Sequence, residues 1–251
     1  ATRLTALIAS NHPSATRYLE QAAALRSRSY SSLYNSAYTM QHFALVAQLT
    51  GDTSYCTFAV TGIEQFVTAE EGRIAAGTTP AVAGDSYLEV GPIVGDLSIV
   101  IDWCFEQTTA TQRARWLAYG DQAVWNVWHP DDAQWGGRAR PWTGWSIDNP
   151  SNNYYYSFLR ATMLLGLAGR GELASADQWL DFFRNTKIAQ QLVPTFERDL
   201  VGGGSREGTG YGTAMMRLWE IYDLWYGTTG EDISCLLYTS DAADEEDSVD
   251  L

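Results

Sequence analysis

One glycine-rich stretch brings together residue types that could do chemistry. Six glycines lie between Gly202 and Gly212, and Arg206, Glu207 and Tyr211 stand among them. Glycine permits positive φ and lets a ligand approach the main chain closely. An apolar helical pattern follows from Thr213 to Tyr226, and a helix N-terminus favours anionic groups. We expect this loop to present its three polar side chains to an acidic sugar; a flexible connection is the alternative.

Phosphate binding is a weaker explanation of the same loop. A P-loop requires a Lys after its second conserved glycine, and this stretch contains no Lys. A dinucleotide-binding loop requires a preceding strand within a βαβ unit, whereas the surrounding pattern is helical.

A second group of polar and aromatic residues, Asn152-Asn153-Tyr154-Tyr155-Tyr156, stands at a predicted helix start. Asn152 suits the N-cap position, where its side chain satisfies a free backbone N–H. Consecutive helical positions point in different directions, so the three tyrosines cannot all face one core. We expect some of them to reach a cleft or solvent.

The segment before that helix, residues 129–151, is rich in Trp, Arg, Gly, Pro and Asp, and we call it the aromatic loop. Trp135, Trp142 and Trp145 suit stacking against sugar C–H groups, although they could instead wedge the loop onto the helices. Arg138 and Arg140 could form a local basic cluster with Arg206. His129 is a candidate base in this loop, whereas His42, in a helical pattern, suits a structural role better.

Hydrophobic periodicity predicts about eight helices and little strand. Their approximate ranges begin at Ser14 and continue over 34–49, 55–67, 93–106, 112–128, 152–168, 174–190 and 213–226. Ser14 and the Thr108–Thr111 turn are the predicted caps, and residues 192–201 form a predicted connection. Paired helices without a strict repeat predict an all-α fold, an incomplete (α/α) toroid of antiparallel helical hairpins. Trp103, Trp116, Trp179 and Trp219 are expected to pack in it, and Asp102 to be buried.

The amino-acid composition limits the kinds of partner that the protein is expected to bind. The 251 residues carry a formal net charge of −14, and removing six acidic residues of the C-terminal tail leaves −8. An acidic body argues against non-specific nucleic-acid binding. No apolar run reaches the length of a membrane span, about 20 residues. Cys56 and Cys104 are expected to be small buried residues, and no cysteine or histidine cluster has metal-ligand spacing, so neither metal nor cofactor is expected.

The last residues form a separate case. The run from Cys235 to Glu245 resembles the in-frame translation of a transposon-end sequencing adapter. We therefore predict a toroid domain over residues 1–233 and an adapter-derived or disordered tail over 234–251. The resemblance implies a gene fragment cut short by metagenomic assembly; a genuine acidic tail is the alternative.

The order of these motifs resembles a known family. Paired helices, the Asp102-Trp103 helix, the Asn-Asn-aromatic helix start and the Glu-Gly-Thr-Gly-Tyr loop are similar to the α/α-toroid domain of heparinase II/III-like and alginate-lyase-like polysaccharide lyases. The resemblance covers most of residues 14–233. It implies a secreted or periplasmic enzyme that cleaves an acidic, uronate-containing polysaccharide by β-elimination.

The resemblance also implies roles for individual residues. Asn153 would bind the substrate carboxylate beside Asn152, and Tyr211 would be the acid, or both acid and base. Arg206 and Glu207 would orient the site. The family often has His after the Asn pair, where this chain has Tyr154. The base is therefore Tyr154, Tyr211 or a histidine elsewhere, or the chain is inactive.

Two other function classes stay open. An inverting glycoside hydrolase on the same fold would use a carboxylate pair such as Asp148 and Glu207. A non-catalytic carbohydrate-binding protein would expose tryptophans without a converged Asn, Tyr and Arg group. The fold by itself does not separate these alternatives.

Overall fold

The computed structural model describes residues 2–28, 38–199 and 212–236, and helices dominate these ranges, which confirms the all-α class. The α-helices are α1 Thr2–Ala9, α2 Pro13–Leu25, α3 Met40–Thr50, α4 Thr53–Ala75, α5 Val90–Trp103, α6 Ala110–Trp128, α7 Asn153–Gly169, α8 Ala176–Asp181, α9 Val193–Asp199 and α10 Gly212–Thr229. A π-helix, Phe182–Leu192, joins α8 to α9, and two short antiparallel strands, β1 Gln134–Trp135 and β2 Arg138–Ala139, lie in the aromatic loop. The predicted tail lies outside the described residues from position 237 onward.

Several helices begin where side-chain caps are available. Thr109 accepts a hydrogen bond from the Gln112 backbone N–H, and Asn152 accepts one from the Tyr154 N–H at 3.0 Å. Both predicted caps are therefore confirmed. The prediction for Ser14 is wrong, because the cap of α2 is the His12 imidazole, which accepts from the Ser14 N–H.

Two of the helices, α5 and α7, run side by side in the same direction. Near their N-termini the Gly91 N–H donates to Ser157 Oγ at 3.0 Å. One turn further along, a Cβ added at Gly95 would overlap the Arg160 guanidinium. A side chain at Gly91 would meet the Ser157 backbone and separate the helices, whereas one at Gly95 would displace the Arg160 guanidinium.

The neighbouring helices α3 and α10 follow the same direction. Met40 at the start of α3 donates its N–H to Asp96 of α5, and Gln48 near the end of α3 donates to the Trp103 carbonyl at the end of α5. On the other side, Arg160 of α7 pairs with Glu220 of α10, and further along both helices Leu164 and Ala168 line one hollow with Leu224 and Thr228. Four helices, α3, α5, α7 and α10, therefore share one direction.

The connecting helices run the opposite way. Short turns join α3 to α4 and α5 to α6, and the Phe43 and Phe58 rings meet 4.7 Å apart across the first hairpin. After α7 the chain returns through α8 and the π-helix, where the Tyr155 hydroxyl donates to the Lys187 carbonyl at 2.9 Å. The structure is thus a series of antiparallel helical hairpins, and its buried apolar residues form two clusters.

The core corrects four expectations. Cys56 and Cys104 are buried as predicted, but they form a disulfide that links the start of α4 to the end of α5. Trp116 and Trp179 are buried, whereas Trp219 is 51% exposed. Asp102 is exposed. The predicted connection over 192–201 is instead largely helix α9.

Candidate functional site

The start of α7 places the Asn-Asn-Tyr group beside the aromatic loop. Asn152 caps the helix and Asn153 is its first residue. Tyr155 and Tyr156 are buried, and the Tyr156 hydroxyl donates to the Pro150 carbonyl at 2.9 Å. Tyr154 is only partly buried, so it is the tyrosine of the three that keeps an accessible face.

Trp142 joins the aromatic loop to this helix start. Its indole N–H donates to the Asn126 carbonyl at 2.9 Å, and its ring lies 5.1 Å from Tyr87 and 6.2 Å from Phe158. The Tyr154 ring lies 6.4 Å from the same Phe158. Trp142 and Tyr154 therefore both contact Phe158, at the end of the molecule where α5 and α7 begin.

The other two loop tryptophans have opposite surroundings. Trp135 is only 3% exposed, and its indole N–H donates to the Tyr87 hydroxyl at 3.1 Å. The expectation that Trp135 stacks on a sugar is corrected, because β1 turns its ring into the core against Tyr119. Trp145 is 55% exposed and keeps a face that a ligand could cover.

The two loop arginines bind the end of another helix. Arg138 donates to the Ile74 carbonyl at 3.0 Å and Arg140 to the Gly77 carbonyl, and both side chains are exposed. Cations that bind the last carbonyls of a helix are favoured by its dipole. Arg138 and Arg140 therefore hold β2 against the end of α4. Their proposed partner Arg206 lies outside the described residues, as do Glu207 and Tyr211.

A buried lysine of the π-helix forms hydrogen bonds with the aromatic loop. The Lys187 ammonium donates to the Ile147 carbonyl (3.0 Å), Asp148 Oδ1 (3.1 Å) and Gln191 Oε1 (3.0 Å). It also lies 4.2 Å from the centre of the Trp128 ring, a cation–π distance. Sequence reasoning missed this residue, because a π-helix rather than an α-helix directs it into the loop.

The Lys187 contacts set the charge state of Asp148. Burial by itself raises the pKa of Asp148, but hydrogen bonds from Lys187 and Gln191 and the nearby ammonium lower it overall. The pKa of Lys187 is lowered, mainly by burial and against the attraction of Asp148. The two groups lie 3.1 Å apart in an ion-pair geometry, with the Asp148 side chain 69% exposed.

The two candidate histidines hold opposite tautomers. His129 is exposed and stacks on Trp125 at 4.4 Å, with its Nδ1 2.9 Å from the Trp125 carbonyl. A carbonyl only accepts, so Nδ1 carries the hydrogen and Nε2 keeps a free lone pair. In His42, Nδ1 accepts from the Thr39 N–H at 3.0 Å, which places the hydrogen on Nε2. Burial lowers the pKa of His42, so this imidazole is neutral at pH 7.

A set of charges lies between the four parallel helices, and we call Asp96, Arg160 and Glu220 the charge network. Asp96 and Arg160 are buried, and Glu220 is partly exposed. Arg160 is 3% exposed and donates from Nε and Nη2 to the two carboxylate oxygens of Glu220, at 2.9 and 2.7 Å. Asp96 accepts from the Thr39 hydroxyl at 2.8 Å and from the Met40 N–H at 3.1 Å.

The charge network has a clear electrostatic signature. Burial raises the pKa of Asp96 to about 6, although the Arg160 charge and the hydrogen bonds from Thr39 and Met40 act in the opposite direction. Local sequence patterns do not indicate this network, because its members stand 64 and 60 positions apart and no motif relates them. A single Arg inside the apolar pattern of α7 was the one available signal.

Two properties of the described residues concern metal ions and membranes. No group of three or more His, Cys, Asp or Glu residues in these ranges is placed to hold a metal ion. The helices described here include none that is long and apolar enough to cross a bilayer. A comparison of the chain with protein-family models, curated proteins and solved structures finds no match.

Proposed function

We propose that this chain is a polysaccharide lyase that cleaves a uronate-containing polysaccharide by β-elimination. The observation that carries the proposal is the start of α7, where the Asn152-Asn153 pair and the accessible Tyr154 lie beside the aromatic loop. An amide at a helix N-terminus suits a carboxylate, because the amide donates and the helix dipole is favourable. The exposed ring of Trp145 offers a sugar a stacking surface in the same loop.

The chemistry assigns a role to each residue type. Removing the C5 proton of a uronate builds negative charge on its carboxylate, which Asn153 would stabilise. A base takes that proton and an acid protonates the leaving oxygen. Tyr211 is the proposed acid, and Arg206 and Glu207 are proposed to orient the site from the glycine-rich loop.

The structure narrows the choice of base among the histidines. A neutral His129 has its Nε2 lone pair free and exposed, which a base requires. His42 can accept a proton only at the nitrogen that already binds the Thr39 N–H. Of the two, His129 is therefore the better candidate, beside Tyr154 and Tyr211.

Two further features support the proposed family and location. The alternation of four parallel helices with antiparallel return helices is what an incomplete (α/α) toroid requires. The disulfide Cys56–Cys104 suits a secreted or periplasmic protein, since disulfides persist in oxidising compartments.

In the hydrolase alternative, the pKa of Asp148 limits the role that this carboxyl group can take. Its lowered pKa makes it a poor general acid near neutral pH, although an ionised Asp148 could serve as the base. The hydrolase would then need Glu207 as its acid. A binding protein without catalysis would rely on Trp145 and would not depend on Tyr211.

Ultraviolet absorbance during incubation with alginate and with glycosaminoglycans tests the proposal. We expect a rise from the conjugated double bond of an unsaturated uronate, abolished by Tyr211→Phe. Tyr226→Phe is the matched control, because Tyr226 is an exposed tyrosine on α10. New reducing ends without the absorbance rise would replace the lyase by the hydrolase, and saccharide binding without either signal would leave a binding protein.

A further inference from the structure

A cleft opens between α3, α5 and α10, beside the charge network. Its volume is about 430 Å³, within the range of small-molecule sites, about 300–1,000 Å³. Aliphatic side chains, Ile99 among them, form part of its wall. Its other lining residues are polar or aromatic: Gln41, His42, Trp103, Glu220 and Asp223.

Two hydrogen-bond donors of the cleft have no partner among the described residues. Gln41 accepts from Arg160 through Oε1 at 2.6 Å, which fixes the amide and leaves its NH₂ group available. His42 is held by the Thr39 N–H at Nδ1, so its Nε2–H is also available. In both side chains the acceptor atom is held by a protein donor, and this contact orients the available N–H groups.

The cleft also supplies fixed acceptors. Arg160 grips Glu220 through two hydrogen bonds, so the carboxylate is held rigidly while its remaining lone pairs stay available. Asp223 is exposed and has no partner in the described part of the chain. Donors and acceptors on one surface match sugar hydroxyls, which both donate and accept. The half-buried Trp103 ring adds an aromatic surface for sugar C–H groups.

The charge of the lining selects between kinds of sugar. Glu220 is balanced by Arg160, but the Asp223 carboxylate has no cation beside it in the lining, and the neutral His42 does not offset it. A sugar carboxylate in this cleft would face like charge, whereas an uncharged sugar would not.

We infer that this cleft binds an uncharged hexopyranose unit. The inference goes beyond the proposed function, because the cleft lies at the end of α5, whereas the Asn-Asn-Tyr group lies where α5 and α7 begin. A pure polyuronate would place a carboxylate in this cleft and would be a poorer ligand there.

Fluorine NMR of the full chain labelled with 6-fluorotryptophan tests this directly, with the Trp103 resonance assigned from Trp103→Phe. Cellobiose serves as the uncharged probe and a mannuronate disaccharide as the charged one. We expect cellobiose to shift the Trp103 resonance saturably, with an affinity about tenfold above that of the mannuronate disaccharide. Asp223→Asn should reduce this preference, whereas Asp177→Asn, an exposed acid on α8, should leave it unchanged.

Each result is decisive. Equal or tighter binding of the mannuronate disaccharide at Trp103, or no saturable shift with cellobiose, would overturn the inference. An unchanged preference in Asp223→Asn would also overturn it, because the charge argument depends on that carboxylate. The signal needs no catalysis, so a chain without lyase activity could still bind cellobiose here, and an active lyase could fail to do so.

Discussion

The aromatic loop and the charge network both hold polar side chains in place, but by different means. In the loop, Arg138, Arg140 and Trp142 donate to backbone carbonyls, and the arginines stay exposed. In the charge network, Arg160 is buried and pairs with the Glu220 carboxylate of another helix. A backbone acceptor persists in any sequence variant, whereas a buried partner is lost with one substitution. Substitutions of exposed loop residues should therefore change stability little, whereas loss of a member of the charge network should reduce it strongly.

The two histidines show the same contrast on a smaller scale. His129 binds a carbonyl of its own helix and presents a free nitrogen to solvent. His42 binds a backbone N–H at the start of α3 and is partly buried beside Tyr38, with ring centres 5.6 Å apart. The first arrangement leaves a base, and the second leaves a neutral donor.

The largest effect is expected from Arg160→Leu. Removing the cation breaks the ion pair with Glu220 and takes away the charge that offsets the burial of Asp96, which costs about 3–5 kcal/mol of unfolding free energy. Urea denaturation measures this. The control is Arg170→Leu, whose exposed pair with Asp177 is worth about 0–1 kcal/mol. A loss below that control would mean that the charge network does not stabilise the fold.

Asp96→Asn is expected to change how stability depends on pH. The folded-state pKa is raised from 3.8 to about 6, so the folded state binds the proton more tightly than the unfolded state. Its contribution is present below pH 4 and is lost as the pH rises through 6, by about 3 kcal/mol. The difference in unfolding free energy between the native chain and Asp96→Asn, measured from pH 4 to 7, should fall accordingly. A flat difference would contradict the raised pKa.

Lys187→Met is expected to have an intermediate effect on the aromatic loop. It removes hydrogen bonds from a charged donor, worth about 1.5–3 kcal/mol in unfolding free energy. Limited proteolysis should then cut residues 129–151 faster. Asp148→Asn should have a smaller effect, because the Asp148 side chain is mostly exposed and the Ile147 carbonyl still binds the ammonium. Equal protease sensitivity in all three proteins would show that Lys187 does not hold the loop.

The smallest stability effect is expected from Trp145→Ala. An exposed side chain contributes within about 0.5 kcal/mol to stability, while loss of aromatic stacking should weaken saccharide binding by about 0.5–1.5 kcal/mol. Trp135→Ala is the matched comparison, since truncating a buried Trp costs about 3–5 kcal/mol. Thermal unfolding and saccharide titration of both variants measure the contrast, and similar unfolding losses would contradict the assigned burial.

Local patterns predicted much of the helical framework. The apolar period located α6 and α7, and the cap signals at Thr109 and Asn152 fixed their starts, because capping depends on neighbouring residues only. The helix predicted over 174–190 is present as α8 and most of the π-helix, whereas its π character and α9 escaped prediction. The candidate site was predicted only as separate segments, and Trp135 and Trp145 look alike in the sequence although one is buried and the other exposed.

The sequence by itself determined the helical class, the positions of several caps and the residue types at the start of α7, because periodicity and capping act over a few residues. Only the tertiary structure decided that Cys56 meets Cys104, that Arg160 reaches Glu220 and that His42 and His129 hold opposite tautomers. The pairings join residues from different helices, and each tautomer depends on which backbone group its ring meets. These arrangements are set by packing, which no local pattern encodes.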